Sequence, residues 1–174
     1  WCQETGGSVL GLASQEEQEI SLAFLREVDR AISTDGAGTG DRLALRRRIH
    51  VQTGLPLRQL ATLLARAAIL VGNDSGPRHL AAALGTPTVT LFGPEHPYEW
   101  HPYPEALHPY FFETPLPCRR EGLKTGYAWC GLAECTTEKH RCLRGITPAA
   151  VLKKAQVLLA RQPGYPEKVQ DLPK

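Results

Sequence analysis

The sequence predicts an α/β fold, a doubly wound parallel sheet of the Rossmann-like type. Three observations carry this expectation. Short apolar runs, several rich in β-branched residues, alternate with segments of helical period. The connections between successive strand-like runs are too long for hairpins, which implies parallel pairing through right-handed helical crossovers. Helix start and stop signals recur where one period gives way to the other. With 174 residues the chain suits one domain that buries roughly 70% of its unfolded surface, and residues 1–162 are assigned to it.

The elements follow in order. Ser8 to Leu12, SVLGL, reads as a strand. Ser14-Gln15-Glu16-Glu17 then has capping-box spacing, a hydroxyl followed three residues on by a carboxylate, so a helix starts here. Its buried stripe is expected at Ile20, Ala23, Phe24, Val28 and Ala31. STDGAGTGD ends it as a turn-rich loop. Arg48 to Gln52 is the second strand, and Leu57, Leu60, Ala61 and Leu64 mark a helix that begins after Gly54 and Pro56. Ala68 to Val71 lacks polar alternation, as a strand covered on both faces does. Pro77 to Leu84 is a helix with Pro at its first position and Gly85 just past its end. Thr88 to Phe92 is the fourth strand. Thr147 and Pro148 open a last helix with Val151, Leu152, Ala155, Leu158 and Leu159 on one face.

Composition excludes several functional classes. Charged residues make up 22% of the chain and the formal net charge is +2, so no global field points to nucleic acid. No apolar run approaches the ~20 residues of a membrane span, and the start WCQETGG has no charged-then-apolar leader. The five cysteines, Cys2, Cys118, Cys130, Cys135 and Cys142, are too few and too clustered for a disulfide scaffold. A cytoplasmic protein is expected. No Met occurs, and the chain is read as a mature product or a fragment.

Residues 94–146 form a Pro- and Cys-rich loop region, and 163–174 a tail. His-Pro-Tyr occurs at His96, His101 and His108. Pro after each His extends the backbone and turns successive imidazoles apart, which speaks against a metal loop and leaves a flap or a structural loop. Cys118, Cys130, Cys135 and Cys142 are separated by 11, 4 and 6 residues without a Cys-x-x-Cys knuckle. They are read as packed thiols, with no metal assigned. Arg46 to Arg48 is either a solvated edge or a contact with anionic lipid.

The chemistry is expected where a strand hands over to a helix, at Asn73-Asp74-Ser75-Gly76. Ligands of open parallel sheets sit at the carboxyl ends of strands, and a helix N-terminus there offers unpaired N–H groups and a partial positive charge to a phosphate. Gly76 permits close approach, Ser75 carries a hydroxyl, and His79 lies one turn into the helix. Asp74 repels a phosphate unless it caps the helix or binds a sugar hydroxyl. Helix capping with a core histidine accounts for the same residues, and neither a glycine-rich dinucleotide fingerprint nor a P-loop decides the matter.

The stretch LVGNDSGPRHLAAALGTPTVTLFGP, preceded by TGLPLRQLATLLARA and followed by WHPY and RCLRGITPAAVL, resembles the C-terminal domain of glycosyltransferase family 9, the heptosyltransferases. The likeness runs from about Val9 to about Leu159. It implies the C-terminal, donor-binding half of a GT-B glycosyltransferase, acting on ADP-heptose or a related nucleotide-sugar for transfer to the lipopolysaccharide core, without a cofactor. By resemblance Asp74, Ser75 and Gly76 take the donor diphosphate and sugar, and His79 supports that loop. Leu55 lies against adenine, and Glu16 contacts the ribose, since capping already accounts for Glu17. Family members carry an earlier strand followed by a hydroxyl and a lysine, and an N-terminal domain that binds the lipid-linked oligosaccharide acceptor at the inner membrane face and supplies the catalytic base. These are not found in this chain, so the catalytic residue is unassigned. Arg78 stands where an apolar residue is usual, and either adds a phosphate contact or faces solvent. The alternatives are a non-catalytic nucleotide-sugar-binding module and a transferase with another donor sugar.

Overall fold

A computed structural model describes residues 2, 6–34, 38–114, 116–121, 128–130, 134–135 and 140–162. The expected tail 163–174 lies outside the described residues. The fold is α/β with parallel sheets, consistent with the Rossmann-like class. The described residues fall into two compact units, one up to Gln59 and one from Leu60 onward.

In the first unit, β1 (Val9–Ala13) pairs in parallel with β2 (Ile49–Thr53), Val9 opposite Ile49 and Ala13 opposite Thr53. Parallel strands need a crossover, and α1 (Gln18–Thr34) and α2 (Thr39–Arg46) supply it. Half of the capping box before α1 forms: the Ser14 backbone N–H donates to the Glu17 carboxylate at 2.8 Å, while the Glu17 N–H donates to the Ser14 backbone carbonyl at 3.3 Å instead of to its hydroxyl. The buried stripe of α1 is rotated from the expected one. Ser21 is buried and Leu25, Val28 and Ile32 are half-buried, whereas Ile20 is 68% exposed and Ala23, Phe24 and Ala31 are exposed. Two apolar sets of the same period interleave on this helix, and period alone cannot choose between them. Ser21 joins the buried set because its hydroxyl is satisfied by the Glu17 carbonyl at 3.1 Å. Helix α2 falls partly inside the stretch read as a loop, where Gly38 and Gly40 mask its start. Arg46 at its end donates to the Asp29 carboxylate at 2.6 Å and to the Ile49 carbonyl at 3.0 Å.

In the second unit the strand order is β3 (Leu70–Asn73), β4 (Thr88–Phe92), β5 (Tyr110–Phe112), all parallel. Strand β4 lies in the middle and is buried at four of its five residues. Strand β3 is flanked by β4 alone among the described strands, and Val71 is 42% exposed. The expectation that both faces are covered therefore fails for β3 and describes β4. Helix α3 (Leu57–Arg66) straddles the division between units and buries Leu64, whose carbonyl accepts from the Thr86 hydroxyl at 2.6 Å. Helix α4 (Gly76–Ala83) follows β3 and gives way to Gly85 in the left-handed region at φ +80°. Segment 94–146 contains α5 (Pro97–Trp100), β5, the antiparallel ribbon of β6 (Arg120–Glu121) and β7 (Ala128–Trp129), and α6 (Arg141–Arg144).

Helix α7 (Pro148–Leu159) begins as its sequence demands, with the Thr147 hydroxyl accepting from the Ala150 N–H at 3.3 Å. Ala155 and Leu158 pack with Val89 of β4, and Ile69, Phe111 and Val151 close around them. Leu152 stands half out of this face. Truncating Leu158 to Ala should therefore cost about 2–5 kcal/mol in denaturant unfolding, and truncating Leu152 less than about 1 kcal/mol. Equal losses would contradict this placement of the helix face.

Candidate functional site

The expected junction is the turn between β3 and α4. Asn73 ends the strand, Asp74 and Ser75 make the bend, and Gly76 starts the helix. Ser75 has extended backbone and does not cap the helix with its side chain; its hydroxyl donates to the Asn73 carbonyl at 3.3 Å. Ser75 and Gly76 are exposed, and a Cβ added to Gly76 meets no described atom within 4 Å. Among the described residues the face of the turn is open, and none of them requires glycine there.

Arg78 is the residue that the sequence misplaced. It neither faces solvent nor reaches outward, and its surface is 1% exposed. Position 78 lies one helical turn beyond Asp74, on the side of α4 that packs inward, and the guanidinium forms an ion pair with the Asp74 carboxylate. Its Nη2 also donates to the Trp100 carbonyl at 2.7 Å and lies 2.9 Å from His79 Nε2, while Nη1 lies 3.2 Å from His101 Nδ1. The rings of Phe92 and Tyr103 cover it, with centroids 5.3 Å and 5.5 Å from the guanidinium carbon. The acid and base one turn apart, Asp74 and Arg78, were the available signal for this pair.

The histidines follow from the arginine. A guanidinium has donors and no acceptor, so His79 Nε2 and His101 Nδ1 face it with lone pairs. His79 Nδ1 is hydrogen-bonded to the Tyr103 hydroxyl, 2.7 Å away. His108 is buried, 3.1 Å from the Thr88 hydroxyl. Burial first, and the charge of Arg78 second, hold His79, His101 and His108 below the usual imidazole range. His101 and His108 with their following Pro-Tyr pairs thus wall the arginine; His101 meets Tyr110 edge-on at 4.8 Å. His96 instead accepts from the Tyr98 N–H at 3.1 Å.

Glu16 and Leu55 lie in the first unit. Glu16 is exposed in the turn before α1, and its carboxyl is held below the usual range by its own backbone N–H and the Ser14 hydroxyl. Leu55 is half-buried after Gly54, whose φ is +63° and whose missing Cβ would stand 2.7 Å from Gln15 Oε1. Of the three arginines 46–48, Arg46 is engaged as above, Arg48 donates to the Gly6 carbonyl and Arg47 is exposed. No helix among the described residues is long and apolar enough to cross a membrane. None of the five cysteines forms a disulfide among the described residues, and no three described His, Cys, Asp or Glu side chains gather as a metal would require. A concavity of about 320 Å³ lined by Ala65, Ala68, Thr86 and Pro87 lies at the other end of β3 and β4 and contains no titratable group.

The family model described as glycosyltransferase family 9 (heptosyltransferase) matches residues 37–126, a span that holds the β3–α4 turn and both aromatic walls of Arg78. The chain belongs to glycosyltransferase family 9. Glu16 lies outside that span. Among curated family members, the chain is 32% identical over 108 residues to lipopolysaccharide heptosyltransferase 2 of Escherichia coli K12, covering 61% of this chain and 27% of that protein. It is 40% identical over 107 residues to lipopolysaccharide heptosyltransferase 3 of the same strain, 62% and 30%. It is 33% identical over 106 residues to lipooligosaccharide heptosyltransferase 2 of Haemophilus influenzae, 60% and 28%. The matched part thus spans less than a third of these family members. No solved structure matches at a comparable level.

The depressed imidazoles give a pH dependence of known sign. Below the ordinary value of 6.5 the unfolded chain takes up protons that the folded chain refuses, so stability falls with pH. The thermal midpoint should drop between pH 7.5 and 5.5, and less steeply in His108→Asn. A midpoint that is flat or rises over this range would contradict the environment described for these rings.

Proposed function

We propose that this chain carries the donor-binding part of a heptosyltransferase-type glycosyltransferase, which takes ADP-heptose or a related nucleotide-sugar for transfer to the lipopolysaccharide core. The observation that supports it most is the open turn at Ser75 and Gly76, uncapped and unobstructed, in a chain of this family. Heptosyl transfer leaves a diphosphate on which negative charge grows as the glycosidic bond breaks. Donors positioned before the reaction stabilise that charge with little reorganisation. Pro77 has no N–H and the Arg78 N–H donates to the Ser75 carbonyl at 3.1 Å, so the donors assigned here are the Gly76 N–H and the Ser75 hydroxyl, which turns to the ligand from the Asn73 carbonyl on which it rests.

In this reading Ser75 and Gly76 meet the diphosphate, Asp74 accepts from a sugar hydroxyl, and neutral His79 holds the turn through Tyr103. No cofactor is assigned. Glu16 and Leu55 keep their roles toward ribose and adenine as proposals for the first unit taken by itself. The base that activates the acceptor, and the binding of a lipid-linked oligosaccharide at the cytoplasmic membrane face, are assigned to the N-terminal domain that the family resemblance implies.

Gly76→Ala separates a ligand site from ordinary helix structure. A methyl group there meets no described atom within 4 Å, and Ala in place of Gly near a helix start is neutral or stabilising by up to about 1 kcal/mol. If the diphosphate lies against this backbone, the variant keeps its thermal stability and loses about tenfold or more in ADP affinity by calorimetry. Unchanged ADP binding in Gly76→Ala, or no binding by the wild-type chain at millimolar ADP, would overturn the reading.

A further inference from the structure

We propose that Arg78 is a positioning residue that neutralises Asp74 from inside the protein, so that the β3–α4 turn can hold a carboxylate beside a diphosphate without repelling it. This rests on the reading of the turn as the diphosphate site.

The electrostatic difficulty is plain. A helix start attracts an anion with roughly half a charge, whereas an ionised Asp74 one residue before Ser75 opposes it with a whole one. The structure resolves the conflict with a cation that is out of reach of solvent. Arg78 is 1% exposed, too enclosed to touch a ligand at the open turn, yet its guanidinium is paired with Asp74. The ion pair from Arg78 falls on Oδ1 of that carboxylate. The carboxylate retains 18% of its exposure, which leaves its other oxygen for a hydroxyl donor.

The arginine is fixed in this role by everything around it. The Trp100 carbonyl and His101 Nδ1 take further donors, and Phe92 and Tyr103 close over its faces. Asp74 is the carboxylate among its described partners, and the two imidazoles that meet it are held neutral, so the charge of the group is that of the pair. These partners are taken by Nη1 and Nη2, while the Arg78 Nε is buried without a hydrogen-bond partner among the described residues. The Asp74 charge is thereby offset before any ligand arrives.

The test is a charge series of ligands, adenosine, AMP and ADP, titrated into the full chain at one low salt concentration. In Arg78→Met the uncompensated carboxylate should weaken ADP binding by about tenfold or more and AMP binding by less, with adenosine changed less than about twofold. Adding Asp74→Asn to Arg78→Met should restore most of the ADP affinity, and Asp74→Asn alone should keep or tighten it. Should Arg78→Met fail to fold, Asp74→Asn and Arg78→Lys carry the test. The lysine variant, which keeps the charge, should bind ADP within about threefold of wild type. Equal losses for all three ligands, no recovery in the double variant, or weaker ADP binding in Asp74→Asn would overturn the proposal while leaving the donor-site reading intact. Absence of ADP binding by the wild-type chain would instead overturn that reading, and the role of Arg78 with it.

Discussion

A buried guanidinium organises the second unit. Arg78 has almost no exposed surface, and a charge in that position is tolerated only if it is paired and its donors are used. The pairing recruits Asp74 from the strand end, and the donors recruit the Trp100 carbonyl and His101 from the segment after β4. One side chain therefore ties the β3–α4 turn to the aromatic stretch that follows the sheet. Breaking a buried pair of this kind from one side costs about 3–5 kcal/mol, which is a large fraction of the stability of a domain this size.

The same constraint explains the His-Pro-Tyr repeats. Pro extends the backbone after His101 and His108, so each imidazole and the Tyr two residues on can reach different neighbours. His101 meets Arg78 while Tyr103 covers it, and His108 meets Thr88 while Tyr110 packs on Phe92 at 5.7 Å. A second arginine repeats the theme nearby. Arg119 lies 3.8 Å over the Phe112 ring and donates to the Gly93 and Glu113 carbonyls, both at 3.0 Å. Segment 94–146, which reads as irregular, is thus partly ordered by two cations set against aromatic rings.

Much of the fold was legible because its signals are local. Thr88–Phe92 is a β-branched run whose bounds match β4, and Thr147 with Pro148 starts α7 as a cap and a first-turn proline must. The β3–α4 turn was legible from the Asp-Ser-Gly-Pro order alone. What was not legible depends on neighbours distant in sequence. The inward face of α1 was chosen by packing between two equivalent apolar sets. Strand β5 exists because β4 offers it a partner, and helix α2 hides behind glycines that suggest a loop. Arg78 was misplaced for the same reason. An arginine on an Ala-rich helix reads as a surface residue until the carbonyl and rings that enclose it, 14 to 25 residues away, are brought to it.

The most direct measurement is nitrogen-detected NMR of the arginine side chains in the full chain, without any ligand. If Arg78 is buried and paired with Asp74, its Nε–H exchanges slowly with solvent and its Nη groups give separate, slowly rotating signals, both lost in Asp74→Asn. A single averaged Nη signal with fast Nε–H exchange, like that of the exposed Arg47, would contradict the account.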